Sequence, residues 1–257
     1  MLAVFALGLA VFALRLAAGM MGCLLLLPVS VINPRFFRTH FLTALALAGL
    51  SLACVRDGVD WPLLIWLGAA LLLSFIGSMV WGLEGAPGGR TFIVLTTLAL
   101  AGSLTWLEMA TSPLASAAGW QLLGDATSAA LLGSALTAML LGHSYLIAPT
   151  MSLTPLMRLL AALALAVLAR MAVDGYALGS WTVSHSLVSL KSGEEIYLLP
   201  VRWLVGFFAP LGLDWMAWQS ARIRSTQSAT GILYVAVIFC FLGELTSQLL
   251  RGSGLTF

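Results

Sequence analysis

The feature that most constrains this chain is a series of eight apolar runs, near 2–28, 41–55, 61–82, 91–109, 127–148, 157–178, 200–219 and 229–250, joined by short polar connections. A helix needs about 20 mostly apolar residues to cross about 30 Å of hydrocarbon, and it satisfies every backbone polar group within its own segment. The runs therefore predict an all-α fold, a polytopic transmembrane helical bundle of about eight spans, with 1–257 as a single transmembrane domain. Composition agrees: 61% of the residues are hydrophobic and only 9% are charged, more apolar than a water-soluble core of this size can use. No soluble domain fits beside the spans. The net charge of +2 comes from scattered Arg residues, which excludes a nucleic-acid footprint.

Pro and Gly punctuate the runs. Pro28 and Asn33-Pro34 break the first connection, Pro87-Gly88-Gly89 the third, and Pro149 to Pro155 the fifth, because Pro lacks an amide donor and Gly relaxes the backbone. The longest connection is Gly179 to Leu199. The first run lacks a charged n-region and a small-residue cleavage site, so it reads as a span rather than a signal peptide. Cys23, Cys54 and Cys240 fall inside apolar runs with no CxxC or Cys/His cluster, and read as small packing residues.

Orientation follows from Lys and Arg. Connections one, three, five and seven carry Arg35, Arg38, Arg90, Arg158, Arg222 and Arg224, and the other side carries Arg56, Lys191, Arg202 and Arg251. Six against four places the first set inside and both termini outside. The expected location is an inner membrane. Glu84 is the one acid on the inner side, whereas Asp57, Asp60, Glu108, Asp125, Glu194 and Glu195 make the outer side acidic. That face reads as a solvated loop surface with Trp181, Tyr197 and Trp203 as interfacial anchors.

Ionisable groups at membrane depth cost roughly 2.5–3.5 kcal/mol on insertion scales and so count as candidate functional groups. Here they are Arg15, Arg170, Asp174, Asp214 and Glu244. Arg170 and Asp174 stand one helical turn apart on one face and can pair. Arg15 is too deep to reach the interface and is expected to face the bundle, with Asp214 or Glu244 as its partner.

Span five carries small residues at every fourth position, Ala126, Ala130, Ser134, Ala138 and Gly142, a stripe that lets a backbone or a flat cofactor come close. His143 follows it at the inner end of the span. His40 begins span two on the same side, so the two imidazoles share a predicted depth and permit bis-imidazole ligation of a b-type haem. Arg222 and Arg224, ahead of Ser225 to Gly231, complete a candidate cofactor-binding set with His40 and His143, suited to an anion, a lipid phosphate or a quinone carbonyl.

No catalytic residue or metal site emerges, because there is no Walker A loop, Rossmann glycine fingerprint, HExxH or GxSxG. Lys191 lies in a loop, which argues against a retinal Schiff base. The residues point to an integral membrane subunit of a larger assembly of electron-transfer type, associated with haem b or a quinone. Its partners would be membrane lipid and other membrane subunits. The alternative is a small-solute or ion transporter using Arg15, Asp214 and Glu244 as a polar path.

Overall fold

The computed structural model describes residues 2–55, 60–83, 85, 87–111, 118–148, 150–184 and 193–252, and all regular structure among them is helical. The helices are α1 (Leu2–Cys23), α2 (Pro34–Val55), α3 (Trp61–Val80), α4 (Gly89–Thr111), α5 (Ala118–Ile147), α6 (Thr154–Ser184), α7 (Gly193–Trp203), α8 (Ala209–Arg222) and α9 (Thr226–Gly252). All but α7 and α8 are long and apolar enough to cross a membrane. The chain is an all-α transmembrane bundle.

The remaining span is interrupted. Between α7 and α8 the backbone runs as a π-helix over Leu204–Phe208, directly ahead of Pro210. A proline ring clashes with the carbonyl four residues back, which here is Gly206, and widening that turn relieves the clash. The apolar run of 200–219 thus becomes two helices and a π turn, which extend from Gly193 to Arg222.

Hydropathy misplaces some helix starts. Arg35, Arg38, Thr39 and His40 are polar enough to push the expected start of span two to 41, yet α2 begins at Pro34. The Asn33 side chain accepts a hydrogen bond from the Arg35 amide at 2.9 Å, and Pro34 takes the first helical position, where a missing amide proton costs nothing. His40 therefore lies in the second turn of α2 rather than at its start. At the opposite end of the bundle Asp60 caps α3, accepting from the Leu63 amide at 3.1 Å, and also accepts from Trp106 Nε1 at 2.8 Å.

The central element is α1, packed against α2, α4 and α5. Its tightest crossing is with α5, where a Cβ on Gly19 would stand only 1.8 Å from the Ala129 carbonyl oxygen and a Cβ on Gly133 only 2.0 Å from the Gly19 carbonyl carbon. Lipid tails are as apolar as Leu, so association rests on close packing of small residues such as these. On the other side α9 packs against α5, α7, α8 and the π turn.

Candidate functional site

Two polar sites stand out, one at each end of the bundle. The first is a cavity of about 280 Å³ at the end expected to face inward, between the start of α2 and the end of α5, lined by Asn33, Arg35, His40, His143 and Ser144 among apolar neighbours. His40 is fully buried and its Nδ1 lies 2.9 Å from the Phe36 carbonyl oxygen. A carbonyl only accepts, so Nδ1 carries the proton and Nε2 keeps its lone pair. Nε2 is buried without a hydrogen-bond partner. The Phe36 ring, 4.3 Å away between centroids, holds the imidazole in place. His143 is exposed at the rim of the same cavity.

The two histidines thus line one cavity, as their predicted depths imply. Arg222 and Arg224 do not line it, and Arg35 stands there instead. The reason is local. Arg222 ends α8, and Arg224 adopts the left-handed conformation with φ of 60°. Its amide bonds the Ala221 carbonyl at 2.9 Å, while the Ser225 amide bonds the Ser220 carbonyl at 2.9 Å. This pair of bonds is a Schellman termination, so the segment closes a helix and leaves both Arg side chains exposed on the surface.

The second site is a buried charge network toward the other end. Arg15 of α1 donates from Nε to Asp125 at 3.0 Å and from Nη2 to both Asp125 and Glu108, the latter at 2.9 Å. Arg251 of α9 approaches Glu108 at 3.6 Å. On α6, Arg170 pairs with Asp174 at 2.9 Å and, through Nε, with Glu244 at 3.2 Å. Arg202 of α7 donates to Asp174 at 2.8 Å and to Glu244 at 2.8 Å, and its guanidinium lies 4.3 Å above the Phe207 ring. Ser128 of α5 donates to the other oxygen of Glu244. Above Gly124 the two halves meet, since Arg251 Nη2 and Arg170 Nη1 lie 3.5 and 3.6 Å from the same point. Four cations and four carboxylates from six helices balance to zero.

Arg170 and Asp174 pair as their spacing predicts. Arg15 differs from expectation, because its partners are Glu108 and Asp125 rather than Asp214 or Glu244. Glu108 and Asp125 are buried and do not form a solvated acidic face. Arg202, at the mouth of the interrupted span, is 1% exposed and belongs to the network as well. Asp214 on α8 stands apart, 4% exposed, with Oδ1 lacking a hydrogen-bond partner. Arg56, Asp57 and Lys191, used to orient the chain, lie outside the described residues, as does the placement of Glu84.

The small-residue stripe divides. Ser134, Ala138 and Gly142 are buried, and a Cβ on Gly142 would come within 2.9 Å of Thr230 Oγ1 on α9. Ala126 and Ala130 are exposed and, with Ser134, line a shallow apolar groove of about 360 Å³ against Gly19, Gly22 and Thr97. The closest packing uses the adjacent face of α5, through Ala129 and Gly133.

No family model, curated protein or solved structure matches this chain. Among the described residues no group of three or more His, Cys, Asp or Glu is arranged to hold a metal ion.

Proposed function

We propose that this chain is an integral subunit of an inner-membrane electron-transfer assembly, and that the cavity between His40 and His143 receives a quinone headgroup. The observation that carries this reading is His40. Its proton is committed to the Phe36 carbonyl, and its Nε2 lone pair is buried beside a cavity with no protein donor to fill it. A buried acceptor without a donor costs about 1–3 kcal/mol, so a ligand hydroxyl that donates to it binds with advantage. Arg35 and Asn33 can donate to the second oxygen of the same ring, while Phe36, Ile147 and Met151 flank its apolar faces.

The cavity volume bears on the choice of ligand. At about 280 Å³ it stands at the lower edge of the range for small-molecule sites, about 300–1,000 Å³. That suits one ring better than the four pyrroles of a haem, although His40 Nε2 has the chemistry of an axial ligand. Oxidation of a quinol held there releases two protons and two electrons: His40 Nε2 can take the first proton, and the second can leave to solvent at the open rim beside His143. The electrons leave to a redox carrier in a neighbouring subunit.

The test is purification in mild detergent, followed by an absorption spectrum, extraction of bound quinone and mass spectrometry of copurifying chains. Purified under reducing conditions, the wild-type protein should retain quinol, and the amount should fall about tenfold in His40→Leu, the loss expected for a hydrogen bond in a buried site. A Soret band abolished by His143→Ala would move the assignment to haem. A colourless protein without quinone or partners overturns the proposal.

Asp214 favours transport as a second reading, because a buried carboxyl lacking a partner at membrane depth marks ion or proton pathways. Proton-driven uptake into proteoliposomes that disappears in Asp214→Asn would select it.

A further inference from the structure

The turn between α3 and α4 holds donors that neither reading uses. Trp81 follows α3 and is 5% exposed. Its indole stacks on Phe37 with centroids 4.2 Å apart and planes 16° from parallel. On its far edge, Cε2 and Cζ2 press against the first residue of α4, where a Cβ on Gly89 would lie 2.8 and 2.6 Å from them. Only glycine lets the ring sit there. Stacking and this contact fix the indole, and Nε1, bonded to Cε2, is buried with no acceptor. An indole N–H can only donate, and a buried Trp ordinarily finds a partner.

Trp81 lines a cavity of about 350 Å³ together with Val29, Gly85, Gly88, Gly89 and Arg90. The first bond within α4 runs from the Phe92 amide to the Gly88 carbonyl at 3.2 Å, so the amides of Gly89, Arg90 and Thr91 have no partner within the helix. Those amides and the helix dipole favour an anion. Arg90 adds a full positive charge at the same point, and Arg38 Nη1 reaches to 3.9 Å from the Cβ position of Gly82 on the α3 side of the turn. Every donor here is suited to oxygen atoms carrying negative charge. The turn joins two spans at the end of the bundle expected to face inward, where a short connection is expected to meet the headgroup region.

We propose that this turn binds a phosphoryl group, held by Trp81 Nε1, the first amides of α4 and the Arg90 guanidinium. The phosphoryl group belongs either to an anionic lipid headgroup or to free phosphate. This site is separate from the His40 cavity and does not depend on the electron-transfer reading.

The experiment measures native mass spectra and thermal stability of the detergent-solubilised protein, titrated separately with phosphatidylglycerol, phosphatidylcholine and inorganic phosphate. Phosphatidylglycerol should bind and stabilise. Trp81→Phe keeps the stacked ring and removes only the donor, and it should weaken binding about tenfold, the scale of one hydrogen bond to a charged group. Arg90→Gln should weaken binding comparably. Displacement of the lipid by millimolar inorganic phosphate identifies a free-phosphate site, and resistance to it identifies a lipid site. Glu84→Gln removes the one carboxylate of this connection and should leave binding unchanged or tighter. Equal binding of phosphatidylglycerol by wild type and a folded Trp81→Phe variant overturns the proposal. So does weaker binding in Glu84→Gln, which would indicate a cation.

Discussion

Gly206 in the π turn and Gly243 on α9 meet so closely that a Cβ on Gly243 would stand 2.4 Å from the Gly206 Cα, and one on Gly206 would stand 2.9 Å from the Gly243 Cα. The same contact brings Arg202 Nη1 within 3.3 Å of the Gly243 Cβ position. Close approach of the two backbones is what allows Arg202 to reach Glu244, the residue after Gly243.

Gly243→Ala should therefore separate the π turn from α9 and stretch the Arg202–Glu244 pair. Overpacking of this kind costs roughly 1–3 kcal/mol. Thermal melting in detergent checks it, with Gly212→Ala as the control because a Cβ there meets nothing within 4 Å. Equal melting of the two variants would show that the close approach is not needed.

Glu244 accepts from Arg170, Arg202 and Ser128, whereas Asp174 serves the two arginines alone. Removing one partner of a buried pair leaves an uncompensated charge and costs roughly 3–5 kcal/mol. Glu244→Gln should lower the melting temperature more than Asp174→Asn, and the reverse order would contradict the assigned geometry.

Arg224 occupies a left-handed position at the end of α8, where a residue with a Cβ pays about 1 kcal/mol that glycine does not. Arg224→Gly should leave the fold unchanged and raise stability by up to about 1 kcal/mol. It should also leave quinone content unaltered, since Arg224 does not line the histidine cavity. Loss of quinone in this variant would restore Arg224 to the site.

Along α5, Ser134 is 1% exposed and Ala130 faces the open groove. Ser134→Leu should destabilise by overpacking, whereas Ala130→Leu should be tolerated. Comparison of the two melting curves separates a buried stripe from a lipid-facing one.

The spans were legible in the sequence because the bilayer imposes one length and one composition on all of them. The interrupted span was less so: Pro210 signals a break, but hydropathy does not register a π turn. Of the sites, the shared depth of His40 and His143 could be read from the alternation of spans. The fit of Arg15 to Asp125 could not. Hydropathy assigns Glu108, Asp125 and Arg202 to the outer connections because each lies near the end of a run, yet long helices such as α5 carry the apolar environment past the point where hydropathy falls. Arg202 does lie inside the run 200–219, and a charge within a span is the signal that could have placed it in the network.

The balanced charge network also bears on how the chain is made. Arg15 enters the membrane with α1, but Glu108 follows it by 93 residues and Asp125 by 110. Arg170 waits 74 residues for Glu244. During synthesis the first helix therefore carries an unneutralised cation until α4 and α5 have emerged, and α6, whose Arg170 and Asp174 pair with each other, is joined by the second cation Arg202 of α7 before α9 brings Glu244. The spans cannot settle into lipid one by one in their final positions. Their final packing waits for the last helix, which supplies Glu244.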